Sequence, residues 1–70
     1  MQTIEVDLEN RIAINTAHAE FTRETGRIEA FAEGPPIFTN GVATHLKMMI
    51  SPEFEKFLFN KGFPYNKHES

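Results

Sequence analysis

Aliphatic and acidic side chains alternate at the start of the chain, over residues 2–8. Ile4, Val6 and Leu8 occupy every second position, and acidic residues stand between them. Successive side chains of an extended chain point to opposite faces, so the three aliphatic residues share one face. The pattern therefore predicts a half-buried strand over residues 2–8.

Residues 11–24 carry a pattern that fits either a strand or a helix. Ile12 and Ile14 continue the alternation, whereas Ala17 and Phe21 are four residues apart, a spacing typical of a helix. Alanine, which recurs in this segment, favours a helix because it loses no side-chain entropy there. Because strand signals flank the segment on both sides, we favour a strand and keep a helix as the alternative.

The middle of the chain indicates two further strands joined by a tight turn. Residues 27–32 predict a short strand that ends at residues 33–36, because the two prolines there cannot donate to a ladder. Asn40 and Gly41 form the dipeptide best suited to a type I′ hairpin turn. Every second residue over 42–50 is apolar or threonine, which predicts a strand after the turn.

The clearest helix signal begins at Ser51. Serine is a preferred N-cap, proline at position 52 suits the first helical residue, and Gly62 suits the C-terminal end. Apolar residues at i, i+3 and i+4 spacing mark one face of this helix. These residues are Phe54, Phe57 and Leu58.

Together these elements predict a single α+β domain over residues 1–65, followed by a polar tail over residues 66–70. The favoured arrangement is a small antiparallel sheet of about four or five strands with one C-terminal helix packed on it. The alternative order is β-α-β-β-α, with an additional helix at residues 11–24. Both arrangements bury the same residues: Ile4, Val6, Leu8, Ile28, Leu46, Met48, Phe54, Phe57 and Leu58.

Length, charge and composition exclude several classes of protein. The chain has 70 residues, no cysteine and a formal net charge of −3. A domain of this size buries only about 60% of the surface of its unfolded chain, so association with a partner would add substantially to its stability. Without cysteine there is no disulfide framework and no cysteine-ligated zinc. The lysines and arginines do not cluster, which disfavours binding to nucleic acid.

The sequence also predicts a location. No apolar run approaches the roughly 20 residues that span a bilayer. The first five residues have neither the basic start nor the apolar stretch of a secretory signal. We therefore expect a cytoplasmic protein that does not enter the membrane.

No side-chain pattern predicts catalysis or metal binding. The three histidines, His18, His45 and His68, lack the spacing of a zinc motif. Ser51 is explained as a helix cap, and no serine stands in a Gly-x-Ser-x-Gly context. The four glycines are isolated, so they form no phosphate-binding loop. We expect no enzymatic activity, no cofactor and no bound metal.

Aromatic side chains are concentrated near the C-terminal end. Five of the eight aromatic residues lie within residues 54–65. At about 100° per residue, Phe59 lies about 140° around the helix from Phe54, so the two cannot share one buried stripe. Phe59, Phe63 and Tyr65 either fold over the helix end as core or stay partly exposed and bind a partner, as aromatic residues often do at interfaces.

The function favoured by these features is a non-enzymatic protein–protein interaction module. Such a protein acts as a small regulator, inhibitor or accessory subunit, and it docks on a larger protein through Phe59, Phe63 and Tyr65. One alternative is a homo-oligomer, most simply a homodimer, assembled through the same aromatic residues or a sheet edge. The other is weak binding of single-stranded nucleic acid, with lysines on phosphates and aromatic rings stacked on bases.

Overall fold

The computed structural model describes residues 2–26 and 32–68. Its elements are β1 (Gln2–Asp7), α1 (Arg11–Thr25), β2 (Ala32–Thr39), β3 (Val42–Ile50), α2 (Pro52–Lys61) and β4 (Asn66–Lys67). In this part of the chain the strands form one antiparallel sheet in the order β2-β3-β1-β4. The prediction of an α+β domain is confirmed. The order of the elements is that of the β-α-β-β-α alternative, with a short strand added at the end.

The segment over residues 11–24 forms helix α1, so the strand that we favoured there is wrong. Ile14 and Phe21 are buried against the sheet and lie on the same face of the helix. Gly26 ends the helix with a left-handed backbone (φ 69°), a common helix stop. The alternation was misleading because Ile12 is an isolated apolar residue on the solvent side, 80% exposed.

Strand β1 ends at Asp7, one residue earlier than predicted. A short 3-10 helix over Leu8–Asn10 follows and changes the backbone period. As a result Leu8 leaves the buried face and is exposed, so its predicted place in the core is wrong. Ile4 and Val6 are fully buried, as predicted.

Strand β2 runs through the two prolines that we expected to end a strand. β2 is an edge strand, and the outward N–H groups of an edge have no partner strand, so proline is tolerated there. The register with β3 is interrupted between Glu33 and Pro36, which accommodates the missing donors. The strand predicted over residues 27–32 lies outside the described residues except for Ala32, and so does the predicted core residue Ile28.

The hairpin between β2 and β3 is confirmed. Asn40 and Gly41 both have positive φ (53° and 78°), as a type I′ turn requires. Strand β3 then pairs with β1 from His45 to Ile50, so the hairpin extends beyond the end of β1.

The polar tail predicted over residues 66–70 is partly structured. Asn66 and Lys67 form β4 and pair with β1. The His68 N–H donates to the Thr3 carbonyl at 2.9 Å, which extends the ladder. The last two residues lie outside the described part of the chain.

Both helices pack on the same face of the sheet, where they enclose one core. Strand residues of this face alternate with residues of the opposite face, and helix residues cover them. Phe57, which we predicted to lie in the core, is half-buried at its edge; its ring packs on Phe21, with ring centres 5.3 Å apart. The buried residues are Ile4, Val6, Ile14, Phe21, Leu46, Met48, Ile50, Phe54 and Leu58.

Candidate protein-binding surface

The orientation of α2 is fixed by its first residues. The Ser51 side chain accepts a hydrogen bond from the Phe54 N–H at 3.1 Å, and Pro52 occupies the first turn, as predicted. This start turns Phe54 and Leu58 into the core. Phe59 consequently points to solvent and is 73% exposed, an unusual position for a large aromatic side chain.

Phe59 borders a shallow depression on the outer side of α2, which we call the α2 recess. Its volume is about 240 Å³. Sites for small molecules are typically about 300–1,000 Å³ and more enclosed. The recess is therefore better matched to a single protruding side chain than to a whole ligand. Its lining residues are Pro52, Glu55, Lys56, Phe59 and Tyr65.

Tyr65 reaches the recess because the chain turns back after α2. Gly62 ends the helix in the left-handed conformation (φ 73°). The Tyr65 hydroxyl then donates to Glu55 Oε2 at 3.2 Å. Burial and the neighbouring Glu55 carboxylate both raise the pKa of Tyr65, because they disfavour the phenolate. The hydroxyl contact holds the ring in place as one wall of the recess.

Phe63 takes a supporting position. Its backbone N–H donates to the Leu58 carbonyl at 3.0 Å, and its ring packs against the core. It does not line the α2 recess. Of the three residues predicted to bind a partner, the structure thus brings Phe59 and Tyr65 together at the recess, whereas Phe63 packs against the core.

The charges around the recess are unevenly paired. Glu55 accepts from Tyr65 and lies 3.4 Å from Lys67 Nζ, and its side chain is only 14% exposed. Lys56 is exposed, and within residues 2–26 and 32–68 no carboxylate lies within ion-pairing distance of it. The unpaired charge of the recess is therefore positive.

Lysine and glutamate also pair on the surface that joins the two helices. Lys61 Nζ of α2 lies 2.9 Å from Glu20 Oε1 of α1. The contact lowers the pKa of Glu20 and raises that of Lys61, because it favours the charged form of each. Both groups are solvent-exposed, so this pair orients the helices more than it stabilises them.

Two histidines lie beside carboxylates on the sheet, and none of these four residues lines the recess. His45 Nε2 is 3.1 Å from Asp7 Oδ1, and His68 Nδ1 is 2.5 Å from Glu5 Oε2. His18 instead packs among aromatic rings of the core. In the part of the chain that the structure describes, no three acidic or histidine side chains come together as a metal site requires.

A series of polar contacts joins Thr44, His45 and Asp7. The sequence did not predict it. Thr44 Oγ1 is 2.8 Å from His45 Nδ1, and His45 contacts Asp7 through its other nitrogen. The order of groups is that of a nucleophilic triad. However, Thr44 Oγ1 also contacts Thr39 Oγ1 at 3.2 Å across the hairpin, and Thr44 does not line the recess. We interpret these contacts as structural, because they link β2, β3 and β1.

Two more exposed apolar side chains lie at the end of the hairpin, on opposite faces of it. Phe38 and Val42 are both exposed there, close to the turn. Neither residue lines the α2 recess. The hairpin therefore offers apolar area, whereas the recess combines apolar area with a concave shape and an unpaired charge.

The described helices include none that is long and apolar enough to cross a bilayer. Comparison with known protein families, curated proteins and solved structures finds no match to this chain. The functional argument therefore depends on the geometry of the surfaces described above.

Proposed function

We propose that this protein is a non-enzymatic interaction module that docks on a larger protein through the α2 recess. The observation that carries the proposal is the exposed Phe59 ring at a depression that Tyr65 also lines. Aromatic side chains at such positions supply large contact area for few rotatable bonds. A small regulator, inhibitor or accessory subunit is the class of protein that acts in this way.

The order already present in the recess supports this proposal. The Tyr65 hydroxyl donates to Glu55, and both Tyr65 and Phe63 pack against the core. Groups that are ordered before binding lose less conformational entropy when a partner arrives. Binding at the recess would therefore retain more of the free energy gained by covering Phe59.

The pairing of the lysines supports protein over nucleic acid as the partner. Lys61 and Lys67 each contact a carboxylate of the same chain, so fewer cations are left for phosphates. The proposal places the protein in the cytoplasm, a compartment compatible with a chain that has no cysteine.

Affinity capture with two matched variants tests the docking surface. Phe59→Glu places a charge beside the recess, and Ile12→Glu makes the same kind of change at an equally exposed site on α1. We expect wild-type protein and Ile12→Glu to retain the same dominant partner, and Phe59→Glu to lose it. Circular dichroism should show that both variants remain folded, because both side chains point to solvent.

Two results would contradict the proposal. Retention of the partner by Phe59→Glu would show that binding occurs at another surface. Recovery of this chain alone, together with a melting temperature that rises with protein concentration, would identify self-association instead.

A further inference from the structure

We infer that the α2 recess receives an acidic segment of its partner, in which one apolar side chain stands next to an aspartate or glutamate. This inference rests on the proposed docking function and adds the chemistry of the bound segment. The apolar side chain would lie between Phe59 and Tyr65, and the carboxylate would pair with Lys56.

The shape of the recess determines the apolar part of this segment. A depression of about 240 Å³ has room for one side chain, and its walls are two aromatic rings and the ring of Pro52. Aromatic and leucine side chains gain most from such contact, because they bury the largest apolar surface. A small polar side chain would leave Phe59 largely in water.

The charges around the α2 recess determine the acidic part of the bound segment. Glu55 is covered and already contacts the Tyr65 hydroxyl and Lys67, so it presents little free negative charge to a partner. Lys56 has no such partner among the residues that the structure describes. An acidic group at Lys56 would gain a charge-assisted contact, and a basic group would meet a like charge.

The net charge of the chain makes this contact selective. At −3, the molecule as a whole repels acidic segments. An acidic segment therefore gains a favourable contact only near a cation that lacks an ion pair, such as Lys56 at the rim of the α2 recess. Specificity in protein recognition commonly combines such a local attraction with repulsion elsewhere.

Selection from a random peptide library tests the inference directly. The full chain serves as the target, and peptides that also bind Phe59→Glu are removed by counter-selection. We expect the retained peptides to share an aromatic or leucine residue next to aspartate or glutamate. Their affinities are then measured by fluorescence anisotropy with labelled peptides.

Reversing the charge of residue 56 tests whether Lys56 contacts the acidic group of the bound peptide. Lys56→Glu should weaken a selected peptide about three- to tenfold, the effect expected when an exposed pair becomes a repulsion. Lys47→Glu carries the same change of charge on the opposite face of the sheet and should leave the affinity unchanged. A peptide with lysine in place of its acid should bind Lys56→Glu better than it binds wild-type protein.

Three outcomes would overturn the inference. Selected peptides that need Phe59 but carry neutral or basic residues would show that the recess docks a partner of different chemistry, and the proposed function would stand. Equal losses from Lys56→Glu and Lys47→Glu would assign the effect to net charge alone. If no peptide depends on Phe59, the recess does not recognise a short segment, and the capture experiment decides separately whether it docks a folded protein.

Discussion

At the scale of single residues, Phe54 and Phe59 show how one helix can serve two purposes. Both rings are carried by α2, five positions apart. Five residues correspond to about 140° of rotation, so one ring points to the sheet and the other to solvent. Phe54 is buried and contacts the rings of Phe21 and His18, whereas Phe59 contributes to the α2 recess.

Truncating these two rings should have very different effects on stability. Phe54→Ala should lower the free energy of unfolding by about 3–5 kcal/mol, because it leaves a cavity in the core. Phe59→Ala should change it by less than about 0.5 kcal/mol, since the ring is in water. Urea unfolding followed by circular dichroism measures both. Similar losses for the two variants would contradict the assigned orientation of α2.

The raised pKa of Tyr65 should make the stability of the fold depend on pH in alkaline solution. Its pKa is raised by burial and by the Glu55 carboxylate. The folded protein therefore holds the phenolic proton more tightly than the unfolded chain. The resulting stability is present below the ordinary pKa of about 10 and is lost as the pH rises through the higher folded value.

Phenolate absorbance during a pH titration measures this shift. Tyr65 is the only tyrosine and the chain has no tryptophan, so the signal is unambiguous. We expect the folded midpoint to exceed that of the urea-unfolded chain, and Glu55→Gln to bring the two closer. Coincident midpoints in wild-type protein would contradict the contact between Tyr65 and Glu55.

At the scale of elements, the two helices differ in how strongly their sequences specify them. Helix α2 carries its own signals: the Ser51 cap, proline in the first turn and the stop at Gly62. Asn10, at the N-terminus of α1, makes no side-chain cap hydrogen bond. Helix α1 is therefore determined largely by packing of Ile14 and Phe21 on the sheet, which local pattern does not report.

The same difference explains which parts of the site were predictable. The exposure of Phe59 is expected from the angle it makes with Phe54 once α2 is recognised. The position of Tyr65 could not be predicted in this way, because it depends on the chain reversal after Gly62 and on a contact with Glu55, ten positions away. The order of the strands in the sheet could not be predicted either, because β4 pairs with β1, which is far from it in the sequence.

Removal of the α2 cap should weaken the domain measurably. Ser51→Ala loses the hydrogen bond to the Phe54 N–H and should cost about 0.5–2 kcal/mol. Ser51→Asp keeps an acceptor at the same place and should remain within a few tenths of a kcal/mol of wild type. Denaturant unfolding of the three proteins checks this. Equal losses for alanine and aspartate would show that the cap does not contribute.

At the scale of the whole molecule, the two edges of the sheet are protected in different ways from pairing with a strand of another chain. β4 is only two residues long, so it offers little ladder to another chain. β2 is longer, and Pro35 and Pro36 remove two consecutive N–H donors from it. Both edges of the sheet therefore offer few consecutive donors to a strand of another molecule.

Replacing both prolines should make the protein prone to associate. Pro35→Thr combined with Pro36→Thr restores the N–H donors that β2 lacks at these two positions and introduces side chains that favour strands. We expect light scattering to rise with concentration and time in this variant. Pro64→Thr, an exposed proline outside the strands, serves as the control and should behave like wild type. Equal scattering from all three proteins would contradict a protective role for the edge prolines.

The pairing of β4 with β1 places the first and the last of the described strands side by side. Ile4 stands across from Lys67, and the His68 N–H bonds to the Thr3 carbonyl. A short linker between these strands would close the chain into a ring without disturbing the core. New ends could then be opened at the Asn40–Gly41 turn, which gives a circular permutant of unchanged topology. For the same reason the whole unit can be spliced into a surface loop of a carrier protein, with the face of α2 still free.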